Sequence, residues 1–252
     1  VSTFVITGGS AGIGFGIARR LGRDGHELVL VARGEDRLAE AERRLREEGV
    51  SCRSAALDVR DAEAVTALIN RLPTVDGVVN NAAGNFACPT VDLSPNGFRA
   101  VVEISLYGTF FLSQALARRL ITEGRPGVIL NIVATYAWTG APAVAHSAAA
   151  KAAMLAFTKS VAREWGPHGI RVNALAPGFV PTSEATANIL SDDSAQAAML
   201  DLIPLGRFGD VDDISESAAF LLSERAAYVT GAVLTVDGGR SLGVAMHRAK
   251  HG

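Results

Sequence analysis

Thr7-Gly8-Gly9-Ser10-Ala11-Gly12-Ile13-Gly14 lies between an apolar run, Phe4-Val5-Ile6, and a segment in which Ile13, Ile17, Ala18 and Leu21 recur with helical spacing. Strand, tight glycine loop and helix, in that order, make a dinucleotide cradle. A helix start presents unpaired backbone N–H groups and the positive end of the peptide dipoles, and glycines let a pyrophosphate approach that backbone. Glycines also serve ordinary turns, so it is the flanking strand and helix that carry the reading. Gly8, Ser10, Gly12, Ile13 and Gly14 are the candidate cofactor residues of this loop.

Working outward, apolar strands are expected at Glu27 to Ala32, Ser54 to Leu57, Gly77 to Val79, Gly127 to Ile132, Ile170 to Leu175 and Val233 to Val236. They alternate with helical patterns, among them Glu35 to Glu48, Pro95 to Ile121 and Val211 to Ser223. Such alternation demands a parallel sheet with helices on both faces and right-handed crossovers. The predicted fold is α/β: a doubly wound, Rossmann-type single domain of about seven strands over residues 1–243, followed by a short tail.

Composition narrows the function classes. The chain has 252 residues, 48% of them hydrophobic, enough to bury a large core. A net charge of −2 without a dense basic run argues against nucleic-acid and membrane-surface partners. A strand beginning by Thr3 leaves no room for a signal peptide, and His146 and Lys151 interrupt the Ala-rich stretches before they could span a bilayer. Cys52 and Cys88 are too few for a disulfide framework and read as small buried hydrophobes of a reducing compartment; a cytoplasmic protein is expected. The five histidines lack ligand spacing, so no structural metal is expected.

In a doubly wound sheet the residue closing the second strand faces the adenosine ribose. A carboxylate there accepts from both hydroxyls of NAD, whereas an arginine meets the additional phosphate of NADP. Val31, Ala32 and Arg33 include no acid, so NADP(H) is the expected cofactor and Arg33 its reader.

The spacing Thr-Gly-x-x-x-Gly-x-Gly resembles that of the short-chain dehydrogenases/reductases. The resemblance continues through Asp58-Val59, which matches that family's adenine-contacting pair, although Asp58 also suits a turn, with Asp61 at a helix cap. Asn80-Asn81-Ala82-Ala83-Gly84 is similar to the family's Asn-Asn-Ala-Gly motif with one residue added, which implies that Asn81, Ala82 and Ala83 line the cofactor. Pro177-Gly178 and Thr182 match the turn that the family sets against the nicotinamide carboxamide. Where relatives carry a helix asparagine supporting a water chain, three residues before Gly108, this chain has Ser105. The long helix also implies a homodimer or homotetramer, since the family commonly pairs it with its copy.

The catalytic stretch departs from the usual pattern. The family's tyrosine one helical turn before the lysine is replaced by Ser147, four residues before Lys151, and the usual helper serine by Ala134. An aliphatic hydroxyl is too weak an acid to protonate the alkoxide that ketone reduction leaves. A conjugated acyl thioester asks less, because its enolate oxygen can be held by neutral donors while carbon is protonated later. The 2,4-dienoyl-CoA reductases are similar in this departure and in the expanded Asn85-Phe86 segment, and one branch carries a tyrosine where Tyr136 stands, fifteen residues before Lys151. The resemblance implies that Lys151 grips the nicotinamide ribose, Ser147 positions Lys151 or the substrate carbonyl, and Tyr136 bonds the enolate. Bland rivals are a helix-start role for Ser147 and a core role for Tyr136. The substrate is expected to be a small molecule, with acyl-CoA as the leading class. Ser183 to Ile203 takes the place of a substrate lid, and its Asp192 and Asp193 offer no evident clamp for coenzyme A phosphates. Alternatives are an NADPH-dependent reductase of an imine or biosynthetic carbonyl, and an NADP(H)-binding protein without turnover. Tyr107 is a second phenol to be considered.

Overall fold

The structure, a computed structural model, describes residues 1–182 and 193–243. Seven strands form one parallel sheet in the order β3-β2-β1-β4-β5-β6-β7. They are β1 (Thr3–Thr7), β2 (Glu27–Ala32), β3 (Cys52–Ala56), β4 (Gly77–Asn80), β5 (Gly127–Ile132), β6 (Ile170–Pro177) and β7 (Val233–Val236). Neighbouring strands run in the same direction throughout. The order reverses between β1 and β4, and the carboxyl ends on either side of such a switch open the crevice in which doubly wound folds bind ligands.

The helices are α1 (Gly12–Arg23), α2 (Glu35–Glu47), α3 (Ala62–Arg71), α4 (Pro95–Glu123), α5 (Tyr136–Thr139), α6 (Ala145–Trp165), α7 (Asp193–Leu200) and α8 (Val211–Leu222). Side chains alternate across each strand, so β1 feeds Phe4 and Ile6 to a core with α1, α2 and α8, and Val5 to a second core with α3, α4 and α6. Helix starts fall where short polar side chains accept the free N–H groups: Asp61 from Ala64, Ser94 from Gly97, and Asp210 from Asp213. Pro95 follows Ser94 at the first helical position, where its missing N–H costs nothing.

One strand boundary and one helix interior differ from expectation. β3 runs from Cys52 rather than Ser54, because its pairing with β2 begins at Leu28↔Cys52. α4 contains one π turn, Glu103–Tyr107, whose looser ladder rotates the residues that follow; the Thr109 hydroxyl donates to Ser105 O at 2.7 Å. α4 is long and apolar enough to cross a bilayer, yet Val101, Leu112, Leu116 and Leu120 on it are buried in the protein interior. Cys52 is buried, which raises its thiol pKa, whereas Cys88 is only half buried. The expected lid falls partly at 183–192, and the expected tail at 244–252, outside the described residues.

Candidate active site

A cavity of about 300 Å³ opens at the carboxyl ends of β1, β2 and β4. Gly8, Ser10, Arg33, Asp58, Val59, Asn81, Ala82 and Ala83, all expected at a cofactor, line it. So do Gly34, Arg37 and Ile104, which sequence reasoning missed. Arg37 was findable: it stands one helical turn beyond Arg33, at the start of α2. Among the described residues neither guanidinium pairs with a carboxylate. Asp58 instead pairs with Arg60 at 2.6 Å, which holds its carboxyl below the usual range, and Asp61 caps α3.

The floor of the cavity is a backbone junction. The Thr7 hydroxyl accepts from the N–H groups of Asn81 and Ala82, both at 3.0 Å, and the Asn81 amide donates back to Thr7 O at 3.0 Å and Gly8 O at 3.3 Å. Gly8 has φ +64°, and a Cβ on Gly14 would meet Gly8 O and, at 2.5 Å, Asn81 Nδ2. No side chain fits there, and among the described residues no side chain caps the backbone N–H groups at the start of α1. Thr182 comes against Gly12, to 3.4 Å from where a Cβ would stand, so the turn after β6 reaches the glycine loop. Gly178 has a packing role as well, since a Cβ on it would lie 2.6 Å from Asp237 Cα.

Beneath the site a buried polar chain ties the sheet to the helices. Asn80 donates to Ser113 Oγ at 2.9 Å and to Asn131 Oδ1 at 2.8 Å, and Asn131 donates to Thr158 Oγ1 at 2.8 Å. This chain fixes the strand ends that carry Asn81 and Ile132.

Lys151 is 4% exposed, and its ammonium donates to Ile132 O at 2.6 Å. Among the described residues no carboxylate faces it, and burial lowers its pKa to about 8. Buried cations without a counter-charge are rare and costly, so the unused donors await a polar ligand. One turn earlier, Ser147 Oγ lies 3.1 Å from the Tyr136 hydroxyl. Val144 occupies the cap of α6, so Ser147 stands in the first turn of that helix, as the helix-start reading has it, without capping it. Tyr136, partly buried at the start of the unexpected short helix α5, has its hydroxyl against Ser147, an arrangement that fits the core reading with one hydrogen bond as well as the catalytic one. Tyr136 thus meets Ser147, and Lys151 stands one turn after Ser147 on the same face of α6. Tyr107 does not join them; its half-exposed ring sits near Phe111, in a separate depression with Asp58, Arg60 and Glu103.

This geometry suits a nicotinamide nucleotide: helix-start N–H groups for pyrophosphate, two guanidiniums at the cavity that pair with no carboxylate among the described residues, and a buried ammonium one helical turn after Ser147. Comparison with known proteins agrees. Residues 8–241 match the family model described as Enoyl-(Acyl carrier protein) reductase. The chain is 42% identical over 245 residues to a probable 2,4-dienoyl-CoA reductase [(2E)-enoyl-CoA-producing] of Bacillus subtilis, covering 94% of this chain and 96% of that protein. It is 40% identical to the peroxisomal 2,4-dienoyl-CoA reductase [(3E)-enoyl-CoA-producing] of Rattus norvegicus, covering 93% and 82%. Among solved structures it is similar, with TM-score 0.89, 35% identity and 96% of both chains covered, to a gluconate 5-dehydrogenase from Burkholderia cenocepacia in complex with NADP and tartrate.

Proposed function

The chain belongs to the short-chain dehydrogenase/reductase family of oxidoreductases, and from that premise we propose that it is an NADPH-dependent reductase of conjugated enoyl or dienoyl thioesters, similar to the 2,4-dienoyl-CoA reductases. The observation that carries this reading is the 3.1 Å pair of Tyr136 and Ser147 hydroxyls, with buried Lys151 one helical turn after Ser147. Two neutral donors side by side can hold an enolate oxygen without surrendering a proton. Reduction of a ketone, as the gluconate dehydrogenase likeness would suggest, asks for an acid at the position of Ser147, and a serine is too weak.

The bound cofactor supplies hydride. The backbone of Gly8, Gly12, Ile13 and Gly14, with Ser10, holds its pyrophosphate at the positive end of α1. Asp58 and Val59 border the adenine, and Asn81, Ala82 and Ala83 let the backbone run close beneath it. Lys151 donates to the ribose hydroxyls, while Pro177, Gly178 and Thr182 orient the carboxamide. Arg33 and Arg37 together bind the 2′-phosphate. The protein acts in the cytoplasm as a homodimer or homotetramer; Phe98, Phe110 and Ile121, exposed along α4, support the self-association.

The direct test is NADPH oxidation with a dienoyl-CoA, an enoyl-CoA, gluconate's ketone product and an imine. Turnover confined to the thioesters is expected; turnover of the ketone alone overturns the reading. NADPH binding with no acceptor reduced would leave a binding protein. Two variants sharpen the test. Tyr136→Phe is expected to lower kcat about 100-fold while the NADPH Kd stays constant; an unaltered kcat removes the phenol from the reaction. The double variant Arg33→Ser with Arg37→Ser removes two charge-assisted bonds and is expected to weaken NADPH by about 2 to 4 kcal/mol. NADH binding should be unchanged, and equal losses for both nucleotides would refute the phosphate assignment.

A further inference from the structure

His146, the second residue of α6, is fully buried, yet among the described residues neither ring nitrogen has a hydrogen-bond partner. Whichever nitrogen carries the proton, a ring N–H is left unpaired in the interior, and such a group requires a ligand or a water. The ring lies 4.5 Å, centroid to centroid, from that of Phe86, which is half exposed in the segment following the cavity residues Asn81, Ala82 and Ala83. Cys88 N–H ties that segment to Ala143 O at 2.8 Å, just before α6. The next residue in the chain, Ser147, makes the hydroxyl pair with Tyr136. The imidazole therefore lies against Phe86, one residue before the Ser147 of the hydroxyl pair.

Resting on the thioester reading above, we propose that His146 is the positioning residue for the proton that completes the reduction, holding a water beside the acyl chain. A 2,4-dienoyl thioester that has accepted hydride at C5 is a dienolate, its electron pair shared among the thioester oxygen, C2 and C4. The hydroxyls of Tyr136 and Ser147 hold the oxygen, and the Lys151 ammonium is turned to Ile132 O. One proton must still reach carbon. The water forms the new C–H bond, His146 returns a proton to the resulting hydroxide as its N–H breaks, and solvent restores the imidazole. Protonation at C4 leaves a 2E double bond and at C2 a 3E double bond. Both outcomes are named among the relatives. A fixed imidazole selects one of them.

The experiment uses 2,4-hexadienoyl-CoA, NADPH and D2O with the unaltered protein, His146→Gln and His146→Phe. Phenylalanine keeps a ring against Phe86 without N–H, and glutamine keeps N–H but cannot release it. In the unaltered protein, solvent deuterium is expected at a single carbon and a single isomer forms. Both variants are expected to bind NADPH within about twofold of the original, turn over about 100-fold more slowly and yield both isomers. A variant that binds NADPH, turns over within about threefold of the original and gives the same isomer overturns the proposal. Deuterium spread over C2 and C4 in the unaltered protein overturns it whatever the variants do. If the unaltered protein oxidises no NADPH with the dienoyl-CoA, the substrate reading itself falls, and this proposal with it.

Discussion

Lys151→Met should give a protein that is inactive and more stable than the original. The ammonium is buried with one partner among the described residues, Ile132 O at 2.6 Å, and its pKa is lowered to about 8 from the ordinary 10.5. Below about pH 8 both folded and unfolded chains carry the proton, and the folded state bears the full cost of the buried charge. Between about 8 and 10.5 the unfolded chain holds a proton that the folded one has released, so stability rises with pH across that window and then levels off. At about 1.4 kcal/mol per unit the cost is on the order of 3 kcal/mol. Methionine removes it and forfeits one hydrogen bond, worth about 1 kcal/mol. A net gain of roughly 2 kcal/mol at pH 7 follows, or about 4 to 8 °C in Tm for a chain of this size. Turnover should fall at least about 100-fold, with NADPH bound more weakly. Thermal unfolding at pH 7 and pH 9.5 provides the check: the original should gain stability over that interval and the variant should not. A variant less stable than the original at pH 7 would show that Lys151 is a structural cation and not one kept for a ligand.

The second large effect is expected from Gly14→Ala. In a helix this exchange ordinarily stabilises by about 1 kcal/mol. Here the added methyl meets the Gly8 carbonyl and the Asn81 amide, and neither can yield without disrupting the junction with Thr7. Overpacking of that kind costs about 1 to 3 kcal/mol and reverses the sign. NADPH affinity should fall at least about 30-fold, because the loop and the start of α1 are pushed apart. Calorimetric titration and denaturant unfolding measure the two losses. Gly166→Ala, where a Cβ meets nothing within 4 Å, serves as the control and should be neutral. If Gly14→Ala binds NADPH as the original does, the glycine loop is not the pyrophosphate cradle.

The same residues show where sequence reasoning reaches its limit. The edges of β2 and β5 were readable because a strand buried on both faces is an unbroken apolar run bounded by turn residues. β3, with Arg53 and Ser54 inside it, carries a weaker signal, and only its pairing partner defines its start. The π turn in α4 was invisible, since an extra residue in the hydrogen-bond ladder leaves the apolar spacing of Val101, Leu112 and Leu116 intact. Arg37 looked like one more charge on a solvated helix until the end of β2 was seen to carry it to the cavity rim. His146 looked like an interruption of an alanine run, and only the fold makes it a buried group whose ring nitrogens have no hydrogen-bond partner among the described residues.

What the amino-acid order determined by itself is everything that depends on neighbours along the chain: the glycine loop between strand and helix, the alternation that requires a doubly wound parallel sheet, the caps at Asp61 and Ser94, and the absence of a phenol one turn before Lys151. Backbone sterics and hydrogen bonding act over a few residues, so these features are written locally. The tertiary structure alone decided which distant groups meet. It brought Tyr136 to Ser147 through the turn of α5, Lys151 to Ile132 O and Thr182 to Gly12, and it turned Tyr107 away. Those meetings depend on the rotation of each helix against the sheet, set by the close packing of two whole cores, and no short stretch of sequence contains that information.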